Sequence, residues 1–405
     1  YQAGKMNTSG TSNSFIGYNA GLSNTLGSSN VFLGNESGKD NTEGSNNIFI
    51  GNTAGSKNLT CVSNVFLGNG SGSMNSIGNS NVFIGNGSGA SNVNGWSNVF
   101  IGDGVGFNNI GGQYNVFLGA SAGPHNTEGY YNVFLGYYSG YANTTGNFNI
   151  FLGNNSGQDN TTGYSNVFLG SSSGVSNTEG VSNVYLGNRT GYANILGSYN
   201  VMIGDGSGSL GTGGNSNVFL GNQAGRSNLA DYNTFIGYQT GFMNTTASFN
   251  TFIGYQSGYS NQTGAYNAFM GYNAGQSNTS GPNNVFIGNQ SGQTNQTGAG
   301  NVFVGNKTGM LNIASDNVFL GNEVGSNNTS GTKNAFIGFF AGKANTTGNN
   351  NVFIGNESGV TNQIGNDNVF LGNQAGLNNL SGSWNTFLGF ESGYSNSGND
   401  NTFIG

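Results

Sequence analysis

Few residues in this chain are equipped for bond-making chemistry, and they do not stand together. The 405 residues include one histidine, His125, one cysteine, Cys61, eight Lys+Arg and 15 Asp+Glu. His125 stands alone, with no second His and no Cys near it, so no metal site is expected. Glu36, Glu43, Glu323, Glu357 and Glu391 occupy positions that accept almost any residue, which reads as solvated surface charge rather than as convergent acid and base. Gly-rich stretches such as Gly68-Asn69-Gly70-Ser71-Gly72 are followed by neither Lys nor a helix signal and are no phosphate loop. Neither an enzyme nor a cofactor is expected. Aromatic side chains remain: Tyr137, Tyr138 and Tyr141, Tyr255 and Tyr259, and Phe339 and Phe340 are candidate contacts for sugar rings, with lateral packing as the plainer alternative.

Charge narrows the partners further. A net charge of −7 leaves no basic stripe for a phosphate backbone, so nucleic acid is not expected. No apolar run approaches the ~20 residues of a membrane-spanning helix, and the start at Tyr1 shows neither a signal peptide nor an initiator methionine. A lone cysteine excludes an intrachain disulfide framework; Cys61 stands in a column that is otherwise mostly glycine and reads as a tolerated small residue.

The elements that position these residues follow from an internal repeat. A segment Asn-apolar-aromatic-apolar-Gly begins at Asn13, Asn30, Asn47, Asn64, Asn81 and Asn98 and recurs to Asn401, 24 times in all, at intervals of 17 residues except for three of 16. The short intervals start at Asn217, Asn301 and Asn385, 84 residues apart. Numbering each repeat from its first Asn, that Asn and the Gly at position five never vary, nor does a second Gly at position nine wherever that position is present. Asn at position twelve fails once, at Gly211. Position three is the candidate core: Phe15, Phe32, Phe49, Phe66, Phe83, Phe100, Phe117, Phe134, Phe151, Phe168, Tyr185, Met202, Phe219, Phe235, Phe252, Phe269, Phe286, Phe303, Phe319, Phe336, Phe353, Phe370, Phe387 and Phe403.

No repeat offers the i, i+3, i+4, i+7 stripe of a helix; Val31-Phe32-Leu33, bounded by Asn and Gly, reads as one short strand. One strand per 17 residues, with Gly and Asn corners, predicts an all-β fold: a parallel β-solenoid, or β-roll, of about 24 coils of 16–17 residues. Neighbouring coils would lie about 4.8 Å apart. Residues 1–405 read as a single continuous solenoid region without recognisable caps or other domains. The first Asn of each coil is expected to form a ladder at a corner, with side-chain amides bonding up and down the stack and tolerating left-handed geometry.

Side chains alternate across a strand, so Val31 and Leu33 face one way and Phe32 the other, and both faces are apolar. A single coil encloses only one of them. The second calls for a partner, and another copy of the chain is the economical one, with a closed homotrimer favoured.

The segments NVFLG, NVFIG and NTFIG, followed by small-residue corners such as NESG, NGSG and NQAG, resemble the heads of trimeric autotransporter adhesins and the repeats of tail-fibre-type proteins. The resemblance implies a left-handed β-roll in each of three chains and a place outside the cell or on its surface. Phe at position three and the longer coil depart from the adhesin pattern. Together these readings predict a structural extracellular fibre segment, an adhesin head, shaft or filament subunit, that gives a long rigid surface for attachment. The alternatives are a carbohydrate-binding tail-fibre-type repeat and a filament that polymerises end to end. Asn-x-Ser/Thr sequons at Asn35, Asn69, Asn86, Asn143, Asn160, Asn244, Asn345 and Asn356 are what this turn composition produces by itself.

Overall fold

A computed structural model describes residues 2–405, which fall into two compact units, Tyr1–Asn200 and Val201–Gly405. The first contains eleven three-residue strands, from β1 (Ser14–Ile16) to β11 (Val184–Leu186). Each pairs in parallel with the next at the same repeat position, Phe15 opposite Phe32 opposite Phe49. The second contains thirteen, from β12 (Val201–Ile203) to β24 (Thr402–Ile404), paired in the same way. Each unit is therefore an all-β parallel solenoid, and among the described residues there is no helix.

The aromatic side chain points into the coil. Phe32 through Phe168 and Tyr185 in the first unit, and Phe219 through Phe387 in the second, are fully buried, with Met202 nearly so. The rings stack face to face, with centroids 4.8 Å apart and planes within 5° for Phe32 and Phe49. Phe15 is half-buried and Phe403 is 38% exposed; Phe15 stands in the first strand of the first unit and Phe403 in the last strand of the second. Stacking at strand spacing lets each ring cover its neighbours' faces, so one aromatic per turn makes a continuous apolar column.

The two invariant glycines have separate causes. Gly72, at position nine with φ +57°, lies against its own coil's aromatic: a Cβ there would come 2.5 Å from Phe66 Cε2. Gly34, at position five with φ +138°, is pressed by the Gly51 carbonyl of the next coil, leaving no room for a side chain.

Two ladders of buried asparagine run beside the aromatic column. In the first, Asn30 Nδ2 donates to Gly44 O at 2.8 Å, while its Oδ1 accepts the Asn47 backbone N–H at 3.0 Å. In the second, Asn41 Nδ2 donates to Asn24 Oδ1 at 2.7 Å and to Gly44 O at 3.0 Å. Equivalent bonds join Asn334, Asn351, Asn328 and Asn345 in the second unit. Asn30, Asn47, Asn64, Asn81 and Asn98 are fully buried and Asn13 partly so.

The first-position Asn does not take the left-handed corner expected of it. That conformation falls on the residue just before it, as at Ser29 (φ 60°) and Tyr131 (φ 55°), and on position seven, as at Glu36 (φ 55°). The ladder Asn points inward instead, because its amide can satisfy backbone groups that the turn leaves buried. In the 16-residue coils the missing residue comes from the corner after position twelve, where Asn312 Nδ2 reaches Ala314 O two residues on rather than three.

Candidate functional site

With the fixed columns inside, the outer surface belongs to the columns that vary. Positions two and four face outward in both units: Val31 and Leu33 are 39% and 41% exposed, and comparable Val, Ile, Leu or Thr residues follow in other coils. Position six is polar over much of the first unit, where exposed amides bond in series, Asn35 to Asn52 at 2.7 Å, Asn52 to Asn69 at 3.0 Å and Asn69 to Asn86 at 3.1 Å. Threonines after the second ladder turn their hydroxyls back onto backbone, Thr25 Oγ1 donating to Thr42 O at 3.1 Å, which leaves no free hydroxyl array there.

Sequence proximity misassigns several of the aromatics. Tyr255 stacks not on Tyr259 but on Tyr238 and Tyr272, at 5.3 Å on each side, and Tyr259 stacks on Phe242 at 5.0 Å. Two further ladders lie in the column just before the first ladder Asn: Tyr114, Tyr131 and Phe148 in the first unit, with successive centroids 4.7 and 5.3 Å apart, and Tyr232, Phe249 and Tyr266 in the second, 5.1 Å apart. Reading the sequence down its columns at 17-residue steps finds them; reading along the chain does not. Phe339 and Phe340 lie 3.9 Å apart, and Lys343 Nζ sits 3.9 Å above the Phe340 ring.

Tyr137, Tyr138 and Tyr141 come together. Tyr138 meets Tyr137 at 4.1 Å and Tyr141 at 4.7 Å, edge to face in both cases. With Asn154, Asn155 and Gln158 of the following coil they line an open recess of ≈ 460 Å³. Positions six, seven and ten of two successive coils thus supply three phenol rings and three amides. Asn155 Oδ1 is buried there without a hydrogen-bond partner. A hydrogen bond with Tyr138 raises the Tyr137 hydroxyl above the ordinary tyrosine range. Burial does the same for the Asp159 carboxyl, and a hydrogen bond from Gln158 opposes it. His125 packs edge to face on Tyr141 at 4.8 Å, with Nδ1 3.4 Å from Asn108 Nδ2.

The titratable groups are scattered. Glu36 pairs with Lys39 at 3.3 Å and Lys57 with Asp40 at 2.9 Å, both at the surface. Among the described residues no three His, Cys, Asp or Glu side chains gather as a metal site, and no helix is long and apolar enough to cross a membrane. Cys61 is buried, and desolvation pushes its thiol up to about 11. Of the sequons, Asn143, Asn160, Asn244 and Asn345 are buried members of the second ladder, whereas Asn35, Asn69, Asn86 and Asn356 lie at position six on the outside. No known family model matches this chain, and no curated protein matches it.

Proposed function

We propose that the chain is a structural segment of an extracellular fibre, an adhesin head or shaft or a filament subunit, whose outward strand face packs against sister copies, three around a common axis. The observation that carries this reading is the apolar stripe at positions two and four. A Val or Leu is worth roughly 100 Å² of apolar surface. With about a third of that left open on two residues per coil, the eleven coils of the first unit expose roughly 700 Å². Single-chain proteins leave patches of about 300–600 Å² at most, and a specific interface takes about 800 Å² from each partner. A stripe of this kind along a unit is closed most simply by cyclic symmetry. The resemblance to adhesin heads supplies the setting at a cell surface, and the scarcity of charge and of clustered catalytic groups fits a scaffold rather than an enzyme.

Light scattering on the purified chain tests it. A particle of three chains is expected, dissociating when Leu135→Lys and Leu169→Lys place charge on the stripe. A monodisperse monomer, or an assembly indifferent to those substitutions, overturns the reading.

A further inference from the structure

We propose that the recess formed by Tyr137, Tyr138, Tyr141, Asn154, Asn155 and Gln158 is a binding site for a neutral sugar. Two features converge on this chemistry. The Tyr137 ring, 50% exposed, offers a π face on which the C–H face of a pyranose can lie. Beside it stand three planar amides, each carrying a donor and an acceptor, the arrangement that neighbouring sugar hydroxyls need. The recess, ≈ 460 Å³, lies within the range of small-molecule sites and has room for a mono- or disaccharide.

Charge and ring geometry exclude the nearest rivals. No Lys or Arg lines the recess, so a sialic acid or uronic acid carboxylate would find no counter-ion. An aromatic cage for a quaternary ammonium needs rings spread around the cation. Here Tyr138 packs edge to face against both of the other rings, 4.1 and 4.7 Å between centroids, so the rings are spent on each other rather than spread around a cation. The site is also confined to one pair of coils. Where column six carries Tyr in the second unit, at Tyr238, Tyr255 and Tyr272, column seven holds Gln239, Gln256 and Asn273, and the rings stack on each other in series. Fibre assembly through positions two and four is not required for this site.

The intact chain is screened against neutral hexose and N-acetylhexosamine oligosaccharides, sialylated glycans and phosphocholine, and hits are titrated by calorimetry. Variants are chosen from residues that the same columns already hold, so that folding is preserved: Tyr137→Asn, as at Asn35, and Gln158→Ser, as at Ser73. Binding of a neutral oligosaccharide is expected, weakened by about tenfold or more in Tyr137→Asn, equivalent to about 1.4 kcal/mol. Tyr164→Ser, which changes an exposed aromatic outside the recess, should leave the affinity as it was. The inference is overturned by no binding of any neutral oligosaccharide at millimolar concentration, by binding that Tyr137→Asn does not weaken, or by preference for an acidic sugar or phosphocholine.

Discussion

Removing one rung of the first ladder should open the solenoid locally and by a calculable amount. Asn166 is fully buried. Its Nδ2 donates to Gly180 O at 2.8 Å and to Asn149 Oδ1 at 3.2 Å, and its Oδ1 accepts the Asn183 N–H at 3.0 Å and Asn183 Nδ2 at 3.1 Å. In Asn166→Ala the losses are unequal. Gly180 O keeps the Asn177 amide at 3.2 Å, and Asn183 Nδ2 keeps Gly197 O at 2.8 Å, but the Asn183 N–H is left in the interior with no acceptor. That orphan costs about 1 to 3 kcal/mol, and each of the two groups that loses one of its partners about 1 kcal/mol more, so a total of about 3 to 5 kcal/mol is expected. A stack of repeats opens piecewise, which makes a global unfolding midpoint the wrong measure. Peptide-resolved hydrogen exchange fits the question: protection should fall across residues 149–197 by about two to four orders of magnitude, and little elsewhere. Asn154→Ala, on the exposed column, serves as the reference. A loss below about 1 kcal/mol, or one no larger than that of the reference, would refute the claim that the amide ladder holds the turns together.

Two other perturbations probe exceptions to the columns. Tyr185 places a hydroxyl in the aromatic stack; burial raises it well above the ordinary tyrosine range, the Asn200 side chain offsets only part of that, and the oxygen finds no partner in hydrogen-bond geometry. Tyr185→Phe, which restores the column's usual residue, should stabilise its unit by about 1 to 2 kcal/mol, read as slower exchange around residues 168–200; faster exchange would contradict it. For Cys61, the folded thiol sits near 11 against an ordinary 9.0. The native state therefore holds its proton more tightly. Its contribution is complete below pH 9 and is lost as pH rises to 11, a change of about 2 to 3 kcal/mol at most. Cys61→Gly should remove that alkaline component, and native Cys61 should resist alkylation at pH 8; rapid labelling of the folded chain would show the burial to be wrong.

How much of this could be read from residues alone is clearest in the strand Val31-Phe32-Leu33. Alternation fixed which side chains share a face, and the repeat fixed the parallel stacking, but neither says which face is inside. A signal was available in Gly38: an invariant glycine whose added Cβ would come 2.6 Å from Phe32 Cδ2 implies an aromatic packed over it. The left-handed residues had no such signal. Position seven takes Glu36, Tyr138, Arg189 and Lys307 alike, all with φ between 53° and 55° or slightly below, at 51°. At such corners the turns above and below impose the backbone, and the cost of about 1 to 2 kcal/mol falls on whatever residue stands there. Cys61 is a smaller case of the same kind. The column accepts it, yet Asn58 reaches the Cys61 carbonyl at 3.4 Å where Asn41 reaches Gly44 at 3.0 Å, and the next rung, Asn75 to Asn58, lengthens to 3.3 Å. Tolerance in a column is compatible with strain in the ladder beside it.

The division between fixed and free columns also explains why the recess could not be found from spacing alone. Tyr137, Tyr138 and Tyr141 were conspicuous as a cluster along the chain, but Asn154, Asn155 and Gln158 are unremarkable in a sequence where Asn abounds. They become neighbours only because one turn lies directly on the next, so that residue i meets residue i+17. The interior of a coil is spoken for: the position-three side chain, a ring in all coils but that of Met202, the ladder amides, a small residue at position eight and the glycines that make room for them. Any distinction between one stretch of the solenoid and another must therefore be written in the outward columns, in groups that repeat the offsets within a coil and the 17-residue step between coils. Tyr114, Tyr131 and Phe148 follow that step, as do Tyr232 with Phe249 and Tyr238 with Tyr255. A surface composed in this way changes its chemistry coil by coil without disturbing the stack beneath it, so the three-tyrosine recess at one pair of coils need not recur in the others.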